Sequence, residues 1–245
     1  MPPVLSDEAV YTVTEAGTLN AFDPTTGRLL WQRHLDEPAG ASRPALAGQM
    51  LYIPTSGGSL YALDTASEGH LRWRFTTRPP GGRIPAPLAS PATAGGMVYV
   101  GSMDGTLYAV DAATGHPVWS RFVDGAVTSA PAVDADTVYV GNHRGRCYAL
   151  NRATGEVRWF YTSDGALTAT PVVSGDTVYV PSSVGEPATR RRHPIAARPH
   201  REGDDEPGSV GHAVEILAER SPLKAQPPNN VVVSGDIGWS GANSD

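Results

Sequence analysis

Apolar and polar residues alternate in short runs along the first 180 positions, and each run is closed by Gly, Asp, Asn or Ser. Between Pro131 and Trp159, Pro131-Ala132-Val133 leads through Asp134-Ala135-Asp136 to Val138-Tyr139-Val140, then to Cys147-Tyr148-Ala149-Leu150. The turn Asn151-Arg152-Ala153-Thr154-Gly155 then carries the chain into Glu156-Val157-Arg158-Trp159-Phe160. These β-branched and aromatic runs bounded by turn residues predict four strands meandering through about forty residues.

The same offsets recur along the chain, which predicts a repeat architecture. Pro precedes Tyr by eight residues in Pro3/Tyr11, Pro44/Tyr52, Pro91/Tyr99, Pro131/Tyr139 and Pro171/Tyr179. Six residues after each Tyr stands Gly17, Gly58, Gly105, Gly145 or Gly185, and six further on stands Asp23, Asp64, Asp111 or Asn151. Trp31, Trp73, Trp119 and Trp159 follow eight or nine residues later. Four whole units are predicted at about 3–35, 44–75, 91–122 and 131–161, with a partial fifth at 171–185. The expected domain is therefore 1–185. Residues 186–245 lack a strand period and are expected to be an irregular, disordered tail, in which Ala213–Arg220 could form a short helix and Val231–Val233 a strand.

The recurrent turn has a local mechanism. Asp23, Asp64, Asp111 or Asn151 can accept bonds from backbone N–H groups two residues on, and Gly27, Gly115 or Gly155 supplies the positive φ of a short hairpin. Trp31, Trp73, Trp119 and Trp159 are the expected anchors between neighbouring sheets. Unit two departs from the pattern, with one extra turn residue in Asp64-Thr65-Ala66-Ser67-Glu68-Gly69 and no Thr-Gly.

The phrase shared by Ala21-Phe22-Asp23 … Thr26-Gly27 … Trp31, Ala109-Val110-Asp111 … Thr114-Gly115 … Trp119 and Ala149-Leu150-Asn151 … Thr154-Gly155 … Trp159 resembles the tryptophan-docking motif of the PQQ-like repeat. That family includes quinoprotein dehydrogenases and non-catalytic relatives such as BamB-type outer-membrane assembly lipoproteins and kinase-attached propellers. The resemblance covers about 1–185 and implies an all-β propeller of four-stranded antiparallel blades, four blades plus half of a fifth. Seven or eight blades usually close such a ring. Three readings of the short count stand open: a fragment of a longer protein, including a reading-frame slip near Val184; a short closed ring; or completion by another chain. Open blade edges also offer self-association.

Composition narrows the function. A net charge of −6 gives no basic surface seeking phosphate, so nucleic acid is not an expected partner. The single cysteine, Cys147, excludes an internal disulfide and a multi-cysteine zinc site, and it occupies the position of Leu19, Leu60 and Leu107. No apolar run approaches the ~18 residues of a membrane span, and MPPVLSDEAV has no signal-peptide pattern. The chain as written is thus expected in the cytoplasm, with an extracytoplasmic site open for a longer parent. Lys224 is the only lysine and stands in no phosphate-binding loop.

Candidate chemistry is sparse. Asp134 and Asp136 fit turn roles, His193 and His200 flank Arg190-Arg191-Arg192 in the tail without ligand spacing, and Gly238-Trp239-Ser240-Gly241-Ala242 is an incomplete nucleophile elbow. Arg43, His143 and Arg144 are the most distinctive residues at predicted loop positions, where repeats vary without disturbing the core. The expected function is a non-catalytic scaffold for protein interaction or ligand sensing, partnered by another protein or attached domain and needing no cofactor. The alternative that the resemblance implies is a fragment of a dehydrogenase using pyrroloquinoline quinone and Ca²⁺.

Overall fold

The computed structural model describes residues 2–77, 85–174 and 177–183, and the backbone of three further strands at 195–196, 213–217 and 230–234. Blade 1 consists of β1 (Val4–Leu5), β2 (Val10–Val13), β3 (Thr18–Phe22) and β4 (Leu29–His34). Blade 2 consists of β5 (Ala45–Ala47), β6 (Met50–Pro54), β7 (Ser59–Asp64) and β8 (His70–Thr76). Blade 3 comprises β9 (Ala92–Ala94), β10 (Met97–Gly101), β11 (Thr106–Asp111) and β12 (Pro117–Phe122). Blade 4 comprises β13 (Ala132–Val133), β14 (Thr137–Gly141), β15 (Arg146–Asn151) and β16 (Val157–Thr162). Each is an antiparallel sheet whose strands pair in chain order. The first strands of successive blades neighbour one another, so they line the inside of the array and the Trp-bearing fourth strands form its outer rim.

The registers repeat as closely as the sequence does. Tyr11 pairs with Ala21, Tyr52 with Ala62, Tyr99 with Ala109 and Tyr139 with Ala149, and each of these alanines pairs with the Trp of its own blade. A bulge follows that alanine in all four blades. Tyr and Trp rings of one blade therefore meet at 5.7–6.0 Å in every unit. Inner blades bury both sheet faces, with Ile53, Val100 and Val140 at one position and Tyr61, Tyr108 and Tyr148 at another. Blade 1 has Thr12 and Asn20 there, and Gln32 Nε2 donates to Asn20 Oδ1 at 2.6 Å. The middle of that face is accordingly polar.

The fifth blade begins on the repeat and continues off it. β17 (Val172–Ser174) and β18 (Thr177–Pro181) supply its first two strands. Three more strands, β19 (Ile195–Ala196), β20 (Ala213–Leu217) and β21 (Asn230–Ser234), join the same sheet in the order β17-β18-β20-β21-β19. Ala213–Leu217 is thus a strand paired with Thr177–Pro181, not the expected helix. Residues 186–245 are likewise not wholly irregular. The arginine run 190–192, His193, His200 and the 238–242 segment lie outside the described residues.

Candidate functional site

Two sets of residues were singled out by the sequence: the docking positions at the blade joints and the loops at one end. At the joints, the Asx turn is built as local chemistry predicts. Asp23 Oδ1 accepts from Thr25 N at 2.9 Å and Thr26 N at 2.7 Å; Asp111 Oδ1 accepts from Ala113 N and Thr114 N, and Asn151 Oδ1 from Ala153 N and Thr154 N. Asp64 Oδ1 accepts from Ala66 N, and its other oxygen is held by Arg72 at 2.6 Å.

The Gly that ends the turn meets the Trp of the preceding blade. A Cβ on Gly115 would stand 2.6 Å from Trp73 Cδ2, and one on Gly155 would stand 2.6 Å from Trp119 Cδ2. Beside these contacts Trp73 Nε1 donates to the Ala112 carbonyl and Trp119 Nε1 to the Arg152 carbonyl, both at 3.0 Å. Joint 1–2 reaches a related arrangement by another route. The longer turn places Glu68 at φ 52° and brings Gly69 against the far edge of Trp31, where a Cβ on the glycine would stand 2.7 Å from Cζ3. Gly27 has the same backbone form, φ 69°, with nothing within 4 Å of its Cβ position. Trp159 packs beside Val178 and Val180 at joint 4–5. Cys147 is fully buried, and burial pushes its thiol up to about 12, as for a core side chain in the leucine position.

The turn carboxylates make the joints sensitive to acid. The Thr26 N–H holds Asp23 below its ordinary value, the Thr114 hydroxyl does so for Asp111, and the Arg72 guanidinium for Asp64. A carboxylate lowered in the folded state stabilises it fully above the ordinary value of about 3.9, and that contribution is lost as pH falls through the lowered folded value. The melting temperature is therefore expected to stay level between pH 7 and 5 and to drop steeply between about pH 4 and 2. Thermal melts followed by near-ultraviolet circular dichroism would reveal it, and a level midpoint down to pH 2 would contradict it.

At the opposite end of each blade, the connector between blades runs between two strand turns and bonds to both. Leu88 N donates to the Thr55 carbonyl behind it, and Met103 N donates to the Pro87 carbonyl. Val127 N and Leu167 N repeat the first bond to Ser102 and Asn142; His143 N and Ser183 N repeat the second to Ala126 and Ala166. Acidic residues of the connectors strengthen this belt. Glu37 accepts from Thr55 Oγ1 at 2.7 Å and Ser59 Oγ at 2.9 Å and pairs with Arg74, while Asp124 pairs with Arg144 at 2.8 Å and Arg146 at 2.9 Å. Buried Asn142 completes it, with Nδ2 donating to the Val123 carbonyl and Oδ1 accepting from Arg144 N and Arg146 N.

The three loop residues expected to be distinctive divide on this frame. Arg144 is tied to Asp124, and His143 Nε2 lies 2.9 Å from Thr128 Oγ1. Arg43 is exposed, with its backbone N–H donating to Ser90 Oγ at 2.9 Å. Glu15 and Met103, at the positions equivalent to His143 in blades 1 and 3, are also exposed. Asp124, Glu37 and Asn142 were missed by sequence reasoning, although the repeated Asp124-Gly125 and Asp164-Gly165 marked the connector. Among the described residues no three His, Cys, Asp or Glu side chains gather as metal ligands. No helix of the described residues is long and apolar enough to cross a membrane.

Comparison with known proteins gives a consistent set of relatives. The family model described as outer membrane protein assembly factor BamB matches residues 1–126 and 66–193. The crystal structure of BamB from Moraxella catarrhalis is 26% identical with a TM-score of 0.60, and the superposition covers 75% of this chain and 55% of that one. Quinohemoprotein alcohol dehydrogenase from Comamonas testosteroni shares the fold at 23% identity and a TM-score of 0.51, over 58% of this chain and 28% of that one. The quinoprotein alcohol dehydrogenase PedE of Pseudomonas putida is 39% identical over 61 residues, 25% of this chain and 10% of its own length. The chain thus spans about half of the BamB structure and a much smaller part of either dehydrogenase.

Proposed function

Because the chain belongs to the BamB family of PQQ-like repeat propellers, we propose that it is a non-catalytic interaction module that binds another protein through its connector face. The observation that carries this reading is the belt itself. Backbone bonds at every connector hold that face rigid, while the exposed residues on it, Glu15, Arg43, Met103 and His143, follow no repeat. Loops that vary on a rigid scaffold are where binding specificity resides in repeat folds. Binding to another protein is also the role suggested by the family's description as an assembly factor.

A photo-crosslinking residue at Met103 or His143, introduced in the native host, is expected to capture a defined protein. The same residue at Ala153, on a turn at the other end of the blades, is expected to capture none. Equal labelling at both ends, or none at either, would overturn the proposal.

A second reading draws on the 61-residue likeness to PedE, in which the chain is part of a dehydrogenase using pyrroloquinoline quinone and Ca²⁺. Among the described residues no three His, Cys, Asp or Glu side chains gather that could hold Ca²⁺. Stoichiometric uptake of the quinone with Ca²⁺, coupled to dye reduction by an alcohol, would favour this reading over the first.

A further inference from the structure

Of the four docking turns, the one at Gly27 stands uncovered. Gly115 and Gly155 are buried beneath Trp73 and Trp119, whereas Gly27 is exposed. The carbonyl within the turn differs in the same way. That of Ala112 accepts from Trp73 Nε1 and the Tyr52 hydroxyl, and that of Arg152 accepts from Trp119 Nε1 and the Tyr99 hydroxyl. Pro24 holds the same place after Asp23, and among the described residues no group donates to its carbonyl.

Apolar residues beside this turn hold positions that a preceding blade covers elsewhere. Val10 pairs with Phe22 as Leu51 pairs with Leu63, Val98 with Val110 and Val138 with Leu150. The six residues of the inner blades are at most 3% exposed, while Val10 and Phe22 are half-buried. Two residues further along the strands the apolar match ends. Thr12 pairs with Asn20 where Val100 pairs with Tyr108 in blade 3.

We infer that this face of blade 1 receives a tryptophan on a strand of a partner protein, with a neutral polar residue two positions after that tryptophan. Joints 2–3 and 3–4 supply the argument for the indole. Each sets the ring on the turn glycine and its N–H on the carbonyl that Pro24 here presents to solvent. Joint 2–3 supplies the argument for the second residue. Phe75, two after Trp73, packs edge-on to Tyr108 with ring centres 5.6 Å apart. Asn20 stands at the Tyr108 position, so a hydroxyl or amide opposite it leaves no polar group unpaired. A second copy of this chain does not supply the pattern. Its four described tryptophans already face the next blade, and Leu19, Leu60, Leu107 and Cys147 on the same faces are fully buried. The site lies at the opposite end of the blades from the connector face and goes beyond the proposed function. Loss of a partner at either end would leave the other standing.

The test titrates the full chain with acetyl-Val-Trp-Thr-Gln-Thr-amide and follows the methyl NMR signals of Val10. Binding with roughly millimolar affinity is expected. The same peptide with 1-methyltryptophan keeps the ring but loses the N–H, and should bind about three- to tenfold more weakly. Exchange of its Gln for Phe should also weaken binding. Gly27→Ala sets a methyl where the indole rests and should weaken it at least tenfold, and Phe22→Gln should weaken it by removing the apolar wall. An absence of shifts, or binding untouched by both substitutions, would overturn the site. Equal binding of either altered peptide would overturn the contact that it removes. Dimerisation in sedimentation velocity that Gly27→Ala abolishes would give the site to a second copy. Peptide binding that emerges only with Trp239→Ala would give it to the chain's own tail. Either result would overturn the partner protein.

Discussion

Replacing Trp119 by Ala is expected to lower the unfolding free energy by about 3–5 kcal/mol, the range for large aromatic truncations in cores. Three losses combine at this joint. The indole no longer covers Gly155, whose Cβ position lies 2.6 Å from the ring. The Arg152 carbonyl loses the donor it meets at 3.0 Å, and Tyr99 loses the ring 5.9 Å from its own. The effect should also break cooperativity, because repeat arrays are held by nearest-neighbour interfaces and this residue is central to the one between blades 3 and 4. A urea titration should show an earlier midpoint with a shallower slope, and thermal melts a fall of roughly 6–20 °C. An unchanged midpoint would mean that the blades are joined mainly by their inner strands and connectors.

The parts of this molecule that could be read from its sequence are those whose cause is local or repeated. Asp23, Asp111 and Asn151 form their turns with atoms two and three residues away, so each turn is specified by its own few residues. The Tyr-to-Trp spacing recurs with a bulge in the same place, which is why blade boundaries could be counted.

The strand Ala213–Leu217 was not legible because Ala, Glu and Leu are good helix formers, whereas the pairing of Val214 with Val180 and of Ile216 with Val178 comes from a segment more than thirty residues earlier. Tertiary pairing overrides that propensity, and the alternation of Val214 and Ile216 was its faint sign. His143 and Arg144 were noticed for their chemistry alone. Their partners, Thr128 and Asp124, sit on the connector, and no periodicity joins the two segments.

A matched pair of glycine substitutions would separate what the turn needs from what the joint needs. Gly27 and Gly115 hold the same turn position at φ 69° and 75°, a region in which an L side chain costs about 1–2 kcal/mol. Gly27→Ala should lose that amount and little more, because a Cβ there meets nothing within 4 Å. Gly115→Ala carries the same backbone penalty and also drives a methyl to 2.6–2.8 Å from Trp73 Cδ2, Cγ and Cε3. Either the indole shifts and its 3.0 Å bond to the Ala112 carbonyl breaks, or the two blades separate. Overpacking of this kind adds about 1–3 kcal/mol, so Gly115→Ala is expected to lose roughly 2–5 kcal/mol in all. The difference between the two urea midpoints reports the joint alone. Equal losses would show that Gly115 is required only for its backbone, and that Trp73 tolerates a side chain beneath it.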